Sequence, residues 1–221
     1  MLVNEHLTRQ SDLIPSDAIQ QLRVSIVGCG AVGSWTALLL AKMGCEKITL
    51  YDHDTVDMVN MSSQFFDYND LDMNKAAATA ANLQSFANVK ATAYTRKFDV
   101  MDFMKPCDVM ISAVDCMETR KNLFESRSAR YFIDGRMAAE KFHLYVIDTR
   151  VPSQVEGYLQ TLYSNSEAEQ ERCTAKATGY CATHLAFLIA REIKHIVCKQ
   201  KTTKLTLGDF TLDEYYREKA E

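Results

Sequence analysis

Apolar positions along this chain alternate between two patterns, and that alternation predicts the architecture. Compact, mostly apolar runs at residues 22–27, 47–51, 107–114 and 131–134, and the alternating stretch 89–96, read as strands. Between them, residues 34–43, 72–86, 99–105 and 117–127 have the length and composition of helices. Strands alternating with helices imply an α/β fold, a mostly parallel sheet flanked by helices. Residues 141–149 and 156–163 read as longer strands separated by Pro152-Ser153, an antiparallel extension of that sheet. Polar residues 164–172 lead through Cys173 to Gly179 as a crossover segment, 164–179, and a periodic apolar helix follows at 180–198.

The ends are less patterned. Residues 1–21 form a polar N-terminal arm with a helix start at Pro15-Ser16, ahead of a main domain at 22–198. Residues 199–221 read as a strand/helix tail, with an edge strand at 204–207 and a short helix or frayed end at 212–219.

Composition narrows the function classes. The chain has 221 residues, 47% hydrophobic and 24% charged, which suits one globular domain with a sizeable core. Its net charge of −4 argues against nucleic-acid binding, which needs clustered Lys and Arg. No apolar run approaches the ~18 residues of a membrane span, and the charged amino terminus does not read as an export signal, so a cytoplasmic setting is expected. Seven cysteines, an odd number with no CxxC pair, read as reduced thiols, and no zinc is expected.

The chemistry starts at residues 22–33, LRVSIVGCGAVG, a strand that runs into a glycine loop and a helix. Gly28, Gly30 and Gly33 are placed for a tight turn, a close approach to phosphate and helix–strand packing, a Rossmann-like nucleotide cradle. Asp52, at the end of the next strand, is spaced to meet a ribose hydroxyl, with a turn or cap role as the alternative. Lys75 opens a helix, where a cation opposes the helix dipole unless an anion shares the site. Asp115 follows a buried strand at the rim where parallel sheets bind ligands; it suits Mg²⁺ coordination or capping of the next helix.

Together, the glycine loop, the acidic block from Asp52 through Asp54 to Val56, Asn60, Gln64, Lys75 and Asp115 resemble the ThiF/MoeB family, ATP-dependent activators related to ubiquitin-activating enzymes. The resemblance implies that ATP and Mg²⁺ are used to adenylate the C-terminal carboxylate of a small ubiquitin-like or sulfur-carrier protein. It implies a nucleotide cradle at Gly28, Gly30 and Gly33, nucleotide contacts at Asp52 and Asp54, phosphate contacts at Asn60, Gln64 and Lys75, and magnesium on Asp115. Arg9, a solvated side chain by composition alone, matches a family arginine that reaches the γ-phosphate from a neighbouring protomer, and so implies a dimer, here a homodimer.

Three departures from the family pattern matter. Ser63 stands where relatives carry an arginine, and Arg136 or Arg120 is expected to supply the missing charge. The paired CxxC zinc motifs are absent, which makes this a compact version held by packing or by the dimer. Cys173, between Arg172 and Lys176, resembles a catalytic-cysteine segment that takes the acyl group as a thioester; an unreactive loop thiol is the alternative. Two other functions stay open: a catalytically weak nucleotide-binding scaffold in a heterodimeric activating enzyme, and adenylation of a peptide or RNA-linked carboxylate.

Overall fold

The computed structural model describes residues 5–99, 102, 107–162 and 177–220. Its centre is one eight-stranded sheet in the order β3-β2-β1-β4-β5-β6-β7-β8. The first five strands are parallel: β1 (Arg23–Val27), β2 (Lys47–Tyr51), β3 (Thr92–Tyr94), β4 (Val109–Ser112) and β5 (Tyr131–Ala138). β1 lies in the middle, with Val24 level with Ile48 on one side and Val109 on the other. Such a strand is covered on both faces, and Val24, Ile26 and Val27 are all buried.

Helices cover the two faces unequally. On one face lie α1 (Ser16–Gln21), α2 (Ala31–Lys42), α3 (Lys75–Ala87) and α6 (Gly179–Val197), which enclose the larger core around Ile26, Leu40, Leu50 and Ile189. α2 is apolar almost all round because it is packed between the sheet and α3 and α6. On the other face, α4 (Met117–Glu125) and α5 (Pro152–Leu159) close a smaller aromatic core of Phe124, Phe132 and Tyr158.

The sequence expectations need correction at three places. Residues 156–163 were expected as a strand, but residues 152–159 form helix α5. Pro152 opens it as a first-turn proline rather than acting as a loop residue, and Val155 and Tyr158, three apart, turn into the core together. Residues 212–219 form neither a helix nor a frayed tail: β8 (Glu214–Lys219) pairs antiparallel with β7 (Thr203–Asp209), so β7 is interior and β8 is the edge. The run EYYREK has ambiguous local preference, and pairing with β7 decides it. Finally, β5 does not stop at Asp134 but runs on to Ala138 and pairs along its length with β6 (Lys141–Asp148). The N-terminal arm is tied down as well. Leu7 is buried against Gly44, and Ile19 sits in the main core.

The feature that positions a site is the reversal of strand order. From β1 the chain winds outward to β2 and β3, then returns to β4 on the other side of β1. The loops leaving β1 and β4 therefore diverge and leave a crevice at the carboxyl ends of the strands.

Candidate functional site

That crevice is a cleft of ≈ 1190 Å³. Gly28, Gly30, Asp52, Asp54, Asn60, Gln64, Lys75 and Asp115 all line it, residues drawn from stretches 87 positions apart (115 − 28). Gly28 has φ +91°, and a Cβ there would come within 2.5 Å of the Ala113 carbonyl oxygen, so the β1 and β4 loops can lie this close only with glycine. A Cβ on Gly33 would overlap the Gly28 carbonyl, so Gly33 serves helix–strand packing behind the cleft. Above Gly30 the space is open, with nothing within 4 Å of a Cβ position. The loop thus presents bare backbone at the start of α2, which suits an anion.

Asp52 works in two directions. Its Oδ2 accepts from the Cys29 amide at 2.7 Å and its Oδ1 from the Asp54 amide at 2.9 Å, so it clamps the glycine loop while lining the cleft. Burial and the nearby Asp52 carboxylate push the Cys29 thiol well above its ordinary pKa, so this cysteine is a packing group. Lys75 takes the first position of α3, its side chain only 12% exposed, with Nζ 3.5 Å from Asp54 Oδ2. Asp115 is exposed at the rim and makes no hydrogen bond or ion pair among the described residues; Cys116, not Asp115, takes the N-cap position of α4, without a side-chain capping hydrogen bond. Gln64 Oε1 is buried and has no hydrogen-bond partner among the described residues, an unsatisfied group that calls for an explanation. Asn60 caps its own turn by accepting from the Asp57 amide at 2.9 Å.

An asparagine the sequence reading passed over holds these groups together. Asn74 Oδ1 accepts from the Ala76 and Ala77 amides, capping α3, while its Nδ2 donates to the Asp52 and Asp54 carbonyls at 3.0 Å each. One side chain thereby fixes Lys75 relative to Asp52. The signal was available, since asparagine before a helical run is a capping residue.

The structure does not bring Arg136 or Arg120 to the cleft lining. Arg120 Nε and Arg136 Nε each donate at 2.7 Å to the wholly buried Asp134 carboxylate, which also accepts from Tyr158 OH at 2.9 Å. Arg120 further bonds the Val114 carbonyl, and Arg136 the Thr161 carbonyl and hydroxyl. Both guanidinium groups are committed. Besides Lys75, the lysines and arginines lining the cleft among the described residues are Arg96 and Lys97, just beyond β3, and sequence reasoning gave them no role. Ser63 is buried, its carbonyl accepting from Trp35 Nε1 at 3.1 Å. Arg9 is exposed in the turn Glu5–Gln10 and does not line its own cleft. Cys173 lies outside the described residues.

Among the described residues, one group of side chains gathers potential metal ligands: Asp52, His53 and Asp54, with ligand atoms within 4.8 Å of one another. No helix among them is long and apolar enough to cross a membrane. The six described cysteines are unbonded thiols.

Comparison with known proteins addresses the family and the fold. Ubiquitin-like modifier-activating enzyme 5 of Bombyx mori is 27% identical over 209 residues, covering 82% of this chain and 52% of that protein. The Drosophila melanogaster protein of the same name is 30% identical over 159 residues, covering 59% of this chain and 39% of that protein. The chain therefore spans about half, or less, of the length of these relatives. Among solved structures, PaaA superposes with TM-score 0.76 at 15% identity, covering 97% of this chain and 68% of PaaA. E. coli MccB with ATP gives 0.73 at 15% identity, covering 99% and 71%. At such identity these show a shared fold. The ThiF family model matches residues 7–218, nearly the whole described chain, and the chain belongs to the ThiF family.

Proposed function

We propose that this chain binds Mg·ATP in the cleft between β1 and β4 and adenylates the C-terminal carboxylate of a small ubiquitin-like or sulfur-carrier protein. The observation that carries the reading is the pairing of a bare glycine loop with Lys75 and an Asp115 that is unpartnered among the described residues, around one cleft. Relatives named as ubiquitin-like modifier-activating enzymes support this choice of acceptor.

A carboxylate attacks a polyphosphate poorly, because both are anions, so the site must neutralise charge and align the two. Open backbone at Gly30 and the amino end of α2 offer N–H dipoles to the phosphates. Lys75, held at the mouth of α3 by Asn74, places its ammonium against the same charge, and Gln64 lines the cleft beside it. Asn60, on the same connection, is the remaining phosphate contact. Asp52 and Asp54 bound the ribose side. An exposed carboxylate at the rim fits magnesium, which takes one or two carboxylates with phosphate oxygens and water. Asp115 would hold that ion, whose chemistry is to screen the phosphates and polarise the reacting phosphoryl group.

Arg9, exposed and away from its own cleft, is free to serve a second protomer, so the proposed working unit is a homodimer. Transfer of the acyl group to Cys173 as a thioester is a further step of this reading. The experiment is ATP–pyrophosphate exchange with a panel of small proteins ending in Gly-Gly. Exchange that depends on one of them is expected, falling about 10²–10³-fold in Lys75→Ala with an unchanged melting temperature. A reducible adduct lost in Cys173→Ser would mark the thioester step.

A second reading has one observation in its favour. At Ser63 the cation of relatives is missing, and the position is buried, its carbonyl bonded by Trp35. A scaffold subunit would bind nucleotide without exchange until a homologous active chain is added.

A further inference from the structure

Arg96 lies two residues past β3, at the opposite end of the cleft from Asp115, and it is built in. Nη1 donates to Asp102 Oδ2 at 2.7 Å and Nη2 to Oδ1 at 2.8 Å, while Nη1 also reaches the Lys97 carbonyl at 3.0 Å. The Asp102 side chain is 0% exposed and accepts in addition from the Asp99 amide and from Tyr51 OH. One side of the guanidinium stands over the Tyr94 ring, 5.2 Å from its centroid. Yet the Arg96 side chain remains 46% exposed and lines the cleft. Its plane is thus held from behind while its remaining surface faces the ligand space.

Strand order says what that surface meets. Along the rim the strand ends come as β4, β1, β2, β3, with neighbours about 4.8 Å apart, so Arg96 stands about 10 Å from the glycine loop with Asp52 between them. A nucleoside triphosphate with its phosphates at the loop and its ribose at Asp52 carries its base to the β3 end. Arg96, Lys97, Phe98 and Asp99 line that end together, a mixed set of charges beside an aromatic ring that can take a neutral ring. Arginine stacks on flat π surfaces, and a purine offers more of one than a pyrimidine.

We propose that Arg96, clamped by Asp102 and Tyr94, is the base-reading residue of the cleft and takes the purine ring of the nucleotide against its guanidinium. This deepens the ATP reading and rests on it. The test is equilibrium binding of ATP, CTP and inorganic tripolyphosphate, each with magnesium, to the full chain and to Arg96→Ala and Arg96→Lys. ATP is expected to bind about tenfold more weakly to Arg96→Ala, with CTP less affected and tripolyphosphate within about twofold of wild type. Arg96→Lys retains a cation for Asp102 but not the plane; it should keep the wild-type melting temperature and show most of the same selective loss. Equal losses for ATP and tripolyphosphate would put Arg96 on the phosphates and overturn the proposal, as would unchanged ATP affinity in both variants. A folded wild-type chain that binds none of the three overturns the nucleotide reading itself.

Discussion

Two acidic positions near the carboxyl ends of neighbouring parallel strands, Asp134 and Asp115, show opposite uses of the same residue type. Asp134, on β5, is wholly buried and its two oxygens accept from Arg120, Arg136 and Tyr158. Burial works against the Arg136 charge, but Asp134 outweighs it and holds the guanidinium pKa above its ordinary value; burial, reinforced by Asp134, raises the Tyr158 phenol. Asp115, beyond β4, is exposed and bonds nothing among the described residues. A saturated network holds parts together: here β5, α4, α5 and the Thr161 turn. An unsaturated one keeps its capacity for a ligand. The two lie side by side because the strand-order reversal falls at β1 and β4 and leaves β5 inside the packing.

The contrast can be broken most directly at its closed end. Asp134→Ala strands two cations in a buried site and should cost about 3–5 kcal/mol in urea unfolding, whereas Asp115→Asn should leave the midpoint unchanged. Equal effects from the two would erase the distinction.

Asn74 tests how the open side is held. Asn74→Asp keeps the acceptor that caps α3 but loses the donors to the Asp52 and Asp54 carbonyls, so nucleotide affinity should fall with little change in melting temperature. Asn74→Ala loses the cap too, at about 1–2 kcal/mol. Wild-type ATP binding by Asn74→Asp would show that Lys75 and Asp52 need no such tie.

The smallest effect concerns a buried group that belongs to neither arrangement. His184 on α6 packs among Phe142, Phe210 and Tyr215, and its Nε2 is buried with no hydrogen-bond partner among the described residues. Burial, and then Arg191 and Arg217, hold its pKa below the ordinary value, so the fold favours the neutral ring. The unfolded chain takes up the proton first. This contribution is therefore complete above about pH 6.5 and is lost as pH falls below it. Thermal melts between pH 7.5 and 5.5 should show that decline, flattened in His184→Gln.

Legibility in the sequence followed the range of the interactions involved. The strand, glycine loop and helix at residues 22–43 were readable because each residue there answers to neighbours in the chain, and Asp52, Lys75 and Asp115 could be placed at element ends by spacing alone. Residues 152–159 and 214–219 were not readable. Their local preferences are weak, and contacts with Phe124 and Phe132, or with β7, chose between helix and strand. Arg136 shows the same limit within the site. Its position in sequence suggested a free cation near a strand end, with Asp134 two residues before it on the same strand face, and only packing brought Thr161 and Tyr145 around it.

By itself, the sequence determined the alternation of strands and helices, the glycine loop and the order of charged groups along the rim, since these rest on local backbone preference and period. The tertiary structure alone decided which of those charges were consumed and which were left open. Burial and hydrogen-bond saturation depend on groups far apart in the chain, and for that reason Arg136 became scaffold while Arg96, unremarked in the sequence, came to face the cleft.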